Sequence, residues 1–187
     1  MKKSTLHLVN DLQDQLLQYP HLVRKLEGKD PDFVEELFKW INTTERILET
    51  SRISAVSEVS GIKSSILAME YSRDKRTKIR KEKQRVAAES VQELQAIVHE
   101  VLKPLEVRVK ESKELIRQLL HILSDAQAIT YDPSQSFDEF ISSIWNIIET
   151  HDQLKSGAIQ LKTHFAQMDI NLLLAEEVQL ENFSKKS

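Results

Sequence analysis

From Ser4 onward, large apolar side chains return every three or four positions. Leu6, Val9, Leu12, Leu16 and Leu17 do so first and predict a helix, with Ser4 placed to cap it. Pro20 is expected to end that helix or to open a short second one, which Gly28 stops. Asp30-Pro31 then offers a capping carboxylate followed by proline at a first helical position. Asp32, Glu35 and Glu36 suit the anion-favouring end of a helix dipole. Phe33, Val34, Leu37, Phe38, Ile41 and Leu48 give this helix one apolar face, running to about Arg52.

Residues 54–103 hold one glycine and no proline. Val59, Ile62, Ile66 and Met69 alternate by three and four, which is a heptad seam, and Leu94, Ile97 and Val101 continue it in the same frame. The stretch reads as one continuous helix or as a hairpin bending near Ser72 to Asp74. A straight helix drifts ~20° per heptad, so the shared frame alone does not join the two seams. The absence of turn residues favours one helix. Pro104 shifts the frame and is expected to end or kink that helix. Leu105, Val109, Ile116, Leu119, Leu123 and Ala126 form the next seam, followed by a loop at Thr130 to Gln135.

Ser136-Phe137-Asp138-Glu139 is a capping box. Behind it Phe140, Ile144, Ile147, His151, Leu154, Ala158, Leu161, Phe165, Met168 and Leu172 predict one helix to about Asn182. Only Gly157 interrupts it, at about 1 kcal/mol relative to alanine. His151, on this seam, is expected to be a satisfied core histidine, and Trp40 and Trp145 to pack in the core or in a groove.

These patterns predict an all-α fold. Its form is an elongated bundle of four to five long helices with coiled-coil-like heptad packing, a single domain over residues 1–187. It divides into an N-terminal helical segment (1–29), long helices with a basic middle (30–129) and a long C-terminal helix (136–183). The expected core includes Phe38, Ile41, Ile62, Ile66, Leu94, Ile97, Ile116, Leu119, Ile144, Ile147, Leu161 and Phe165. Composition agrees: three glycines and four prolines among 187 residues are too few for a sheet-rich chain with many turns.

The absence of cysteine excludes thiolate nucleophiles and cysteine metal sites. The basic start Met1-Lys2-Lys3 is not followed by an apolar signal core, and no apolar run approaches the ~20 residues of a membrane span, so a cytoplasmic address is expected. Gly61-Ile62-Lys63-Ser64-Ser65 lacks the earlier glycine and the Gly-Lys pair of a phosphate-binding loop. No histidine follows a glutamate by three positions, as di-iron bundles require. Carboxylate pairs such as Glu35-Glu36 point ~100° apart on a helix and cannot flank one bond. No catalytic, cofactor or metal residue is assigned.

The charge of −3 is unevenly spread. Arg73, Lys75, Arg76, Lys78, Arg80, Lys81, Lys83 and Arg85 fall within thirteen residues, against Asp74 and Glu82, with Ile79 as the one large apolar side chain. Such a segment cannot bury a stripe, so it is expected to face water, the acidic C-terminal helix or an acidic partner. The reading is a non-enzymatic helical interaction or scaffold protein that binds another protein or itself, as a homodimer. A nucleic-acid-binding accessory protein using residues 73–85 is the alternative. A membrane-surface scaffold is a second one, weakened by the polar face of Asp138, Glu139, Ser142, Ser143, Asn146 and Glu149, which anionic lipid repels.

Overall fold

The computed structural model describes residues 3–68 and 76–184, with the backbone alone over 76–81. Helix takes up 82% of the described residues, and no strand occurs among them. The helices are α1 (Thr5–Glu27), α2 (Phe33–Ser51), α3 (Val56–Ala68), α4 (Arg76–Asp125), α5 (Phe137–Thr150), α6 (Lys155–His164) and α7 (Gln167–Glu177), followed by a 3-10 turn at Leu180–Phe183. They form two compact units: His7–Leu105, and Glu106–Ser187 with Met1–Leu6. The choice between a continuous helix and a hairpin after α3 falls on residues 69–75, outside the described residues.

In the unit of His7–Leu105 every helix contributes buried apolar residues, but Leu17, placed on the α1 stripe by its spacing, is 77% exposed. Leu12 and Leu22 come from α1, Phe33, Leu37, Trp40, Ile41 and Leu48 from α2, Val59 and Ile66 from α3, and Val91, Leu94 and Val98 from α4. Polar groups inside are matched. The Trp40 indole N–H donates to the Gln15 carbonyl at 2.9 Å, and the buried Thr44 hydroxyl donates within reach of the Trp40 carbonyl (3.0 Å) and Gln15 Oε1 (3.3 Å). Glu45 of α2 accepts from Ser60 and Lys63 of α3 at 2.6 and 2.5 Å.

The other unit encloses a core of Ile116, Leu119 and Leu123 from α4, Phe140, Ile144 and Ile148 from α5, Leu161 from α6, and Ile170, Leu173 and Leu174 from α7. Phe140 stacks edge-on with Tyr131 at 5.0 Å and with Phe183 at 5.6 Å. Lys113 and Arg117 of α4 pair with Glu176 and Glu177 of α7, each at 2.6 Å. The start of α1 is anchored by Asp169, which is fully buried: it accepts from the Ser4 hydroxyl at 2.5 Å and from the Thr5 backbone N–H at 2.8 Å. A carboxylate there satisfies an otherwise orphaned N–H and complements the helix dipole.

Several expectations change. Neither Pro20 nor Pro104 ends its helix; α1 and α4 run through both. Interior proline costs about 3 kcal/mol, and on α1 buried residues flank Pro20 on both sides, Leu12 and Leu22. The helix does stop at Gly28, since α1 ends at Glu27; the Gly28 N–H still bonds back to Arg24, and it is Lys29 that takes the left-handed conformation (φ 52°). Arg52 (φ 57°) and Gln127 (φ 47°) do the same after α2 and α4. Each ending carries the helix-closing bond from residue i to i−5: Asp30 to Lys25 (2.9 Å), Ile53 to Leu48 (2.9 Å) and Ala128 to Leu123 (3.1 Å). Asp30 folds into a turn, accepting from the Asp32 N–H at 2.8 Å, so Pro31 precedes α2 rather than opening it.

The long C-terminal helix is three. His151 and Phe165 are extended (ψ 126° and 152°), and the chain folds back at each. A three-four seam looks the same whether one helix carries it or successive helices each bury their own part of it. His151 is consequently exposed at the end of α5, and Met168 and Leu172 are exposed on α7. Of the expected core, Phe38 and Ile147 are half-buried and the remaining ten residues are buried. Trp40 and Trp145 are both buried.

Candidate interaction groove

The α5 N-terminus is built by the capping box. The Glu139 N–H donates to Ser136 Oγ at 3.3 Å, while the Ser136 N–H and hydroxyl donate to the Glu139 carboxylate at 3.0 and 2.8 Å. Those two donors hold the Glu139 carboxyl below the usual carboxylate range. The cap sets which way α5 faces: Phe140, Ile144 and Ile148 go into the core, while Phe137 stays 38% exposed. On α7, Ile170, Leu173 and Leu174 are buried, and Met168 and Leu172 remain 63% and 49% exposed.

Between the two helices runs an open groove of about 420 Å³ lined by Asp138, Ile141, Ser142, Gln167, Met168, Asn171, Leu172 and Ala175. Its apolar floor and walls come from Met168 and Leu172, one helical turn apart on α7, with Ala175 beside them and Ile141 on α5. Its polar edge is modest: the Gln167 amide donates to Asn171 at 2.9 Å, and Asp138 makes no ion pair among the described residues. No titratable pair converges here, so the groove offers shape and apolar surface rather than acid–base chemistry. Elsewhere, about 430 Å³ opens beside Gln127, Asn182 and Phe183, and about 190 Å³ beside His21, Glu36 and Lys39. Among the described residues no three side chains of His, Asp or Glu are grouped as metal ligands.

Met168 and Leu172 were hidden by the seam they share with Phe165. The available signal is the composition of α7: Met168, Ile170, Leu172, Leu173, Leu174 and Ala175 spread around the whole helix. A helix so apolar must either lie buried on every side or leave part of its surface for something else.

Of the basic cluster, Arg73 and Lys75 lie outside the described residues. Arg76, Lys78, Arg80 and Lys81 stand in the first turns of α4, their side chains outside the description. Lys83 is half-buried, with its ammonium 5.2 Å from the centre of the Phe38 ring. Arg85 is exposed and bonds to Glu82 and to Glu89, four residues on along the same helix. Both described cations thus already have partners within the His7–Leu105 unit.

Among the described residues no helix is long and apolar enough to cross a membrane. Comparison with protein family models, with curated proteins and with solved structures finds no match to this chain.

Proposed function

We propose that this chain is a non-enzymatic, cytoplasmic helical interaction module that binds another protein in the α5–α7 groove. The observation that carries the reading is the exposure of Met168 (63%) and Leu172 (49%) on the wall of a concave apolar surface. Apolar surface left in water forgoes roughly 25 cal/mol per Å², and a groove between two antiparallel or crossed helices is a common seat for a third helix. Methionine is suited to such a wall because its unbranched thioether adapts to different partners. Coiled-coil-like packing and self-association belong to the same reading, since a second copy presents the same chemistry.

The test places a photo-crosslinking amino acid at Leu172 in cells, with Gln118, an exposed position on α4, as control. A discrete adduct is expected from position 172 and not from 118, and its loss on Met168→Ser is expected as well. Equal labelling from the two positions would remove the groove as the binding surface.

A further inference from the structure

The charges around the groove select among helices that could lie in it. The stretch from α5 to α7 carries Asp138, Glu139, Glu149, Asp152, Asp169, Glu176 and Glu177 against Lys155 and Lys162; Glu139 is held in its cap, Asp169 is buried against Ser4 and Thr5, and Glu176 and Glu177 pair with Lys113 and Arg117 of α4. Both lysines are committed, Lys155 to Asp152 and Lys162 to Glu149. No cation lines the groove, and Asp138 on its α5 wall has no ion pair among the described residues. Ser142, Gln167 and Asn171 add only neutral donors and acceptors.

We infer that the occupant is an amphipathic helix of another protein with cationic flanks. Its apolar anchors, spaced i, i+3 or i+4, and i+7, fill the space between Ile141, Met168 and Leu172, while lysine or arginine meets Asp138. This rests on the groove being a binding surface and adds the sign of the partner. A second copy of the chain fits less well. Two such grooves in two-fold contact set carboxylate against carboxylate, and the chain's own cationic stretch, residues 73–85, has Ile79 as its one large apolar side chain. An anionic lipid surface meets the same repulsion.

Three synthetic helical peptides of equal length test this by calorimetry at low and moderate salt. One has leucines at the anchor spacing with lysine flanks, one has the same leucines with glutamate flanks, and one is a scrambled leucine–lysine peptide. The ordered lysine peptide is expected to bind at least about tenfold more tightly than either of the others. Met168→Ser with Leu172→Ser should abolish that preference, Asp138→Asn should weaken it several-fold and flatten its salt dependence, and Ile159→Ser, on exposed α6 surface, should leave it unchanged. All four side chains are outside the buried core, and circular dichroism of each variant confirms the fold. Equal binding of the scrambled peptide, or persistence in the serine variant, would reduce the effect to general attraction and overturn the inference. Tighter binding of the glutamate peptide, lost in the serine variant, would overturn the cationic partner while keeping the groove. A dimer in sedimentation equilibrium that the serine variant dissociates would replace the partner with a second copy. Failure of all three peptides to bind would remove both readings.

Discussion

Two helical glycines should respond to alanine with opposite signs. Gly61 sits inside α3, exposed, and a methyl group built on it meets nothing within 4 Å. Gly61→Ala should therefore express only the helix preference, a gain of about 0.5–1 kcal/mol. Gly157 sits in α6 and is buried; a methyl there lies 3.1 Å from both Leu119 methyls and 3.5 Å from Leu119 Cγ. Carbon pairs prefer roughly 3.5–4.0 Å, and Leu119, 5% exposed, is confined by the surrounding core. Overpacking of this kind costs about 1–3 kcal/mol. Set against the same helix gain, Gly157→Ala should lose about 1 kcal/mol. Urea unfolding at constant slope reads both changes as midpoint shifts in opposite directions. The cause is checked with Leu119→Ala, which alone should cost about 2–5 kcal/mol. In that background the clash is gone and Gly157→Ala should become neutral or stabilising, giving a coupling of about 1–2 kcal/mol. If Gly157→Ala instead raises the midpoint as Gly61→Ala does, the close approach to Leu119 has no energetic consequence and the reasoning fails.

The two tryptophans offer a second contrast. Trp40→Phe removes the donor to the Gln15 carbonyl and should cost about 1–3 kcal/mol, whereas the buried Trp145 indole N–H has no hydrogen-bond partner among the described residues, so Trp145→Phe should cost clearly less; equal midpoint shifts would contradict this. Asp169→Ala should lose about 1–3 kcal/mol and expose the Thr5 amide to hydrogen exchange, and an unchanged Thr5 exchange rate would show the anchor to be unimportant. Glu139 titrates below its usual 4.5, so its support for α5 is present above about pH 4.5 and is lost as pH falls through the lowered value. The stability difference between wild type and Glu139→Ala should thus be constant above that pH and close below it, and a difference that widens on acidification would reverse the sign assigned here.

The all-helical class and most of the core were legible because they depend on spacing alone. Ile41, Leu94, Ile116 and Ile144 recur where a 3.6-residue period places them on one face, and burial follows. The capping box at Ser136 was legible because its hydrogen bonds are local. What was lost depends on the rest of the fold. The endings of α2 and α4, closed by left-handed Arg52 and Gln127, give no glycine signal, because the surrounding structure forces a left-handed residue that the side chain would not choose. Pro20 looks like a stop until the packing on both sides is known. The groove was lost for a related reason: Met168 and Leu172 obey the seam, and the turn at Phe165 that rotates them outward is extended backbone with no marker of its own. The eight cations were the loudest signal in the chain, and the two with described side chains are held by Phe38, Glu82 and Glu89.

The tie between the start of α1 and α7 has a consequence for synthesis. Thr5 and Asp169 are 164 residues apart. At about 5–20 residues per second on the ribosome, roughly 8–33 s pass between the appearance of the first N–H groups of α1 and that of their acceptor. During that interval the first turn of α1 lacks its buried carboxylate, whatever the rest of the nascent chain has already folded. Chains arrested before Asp169 should therefore be clipped near Thr5 by proteases that leave the finished protein intact.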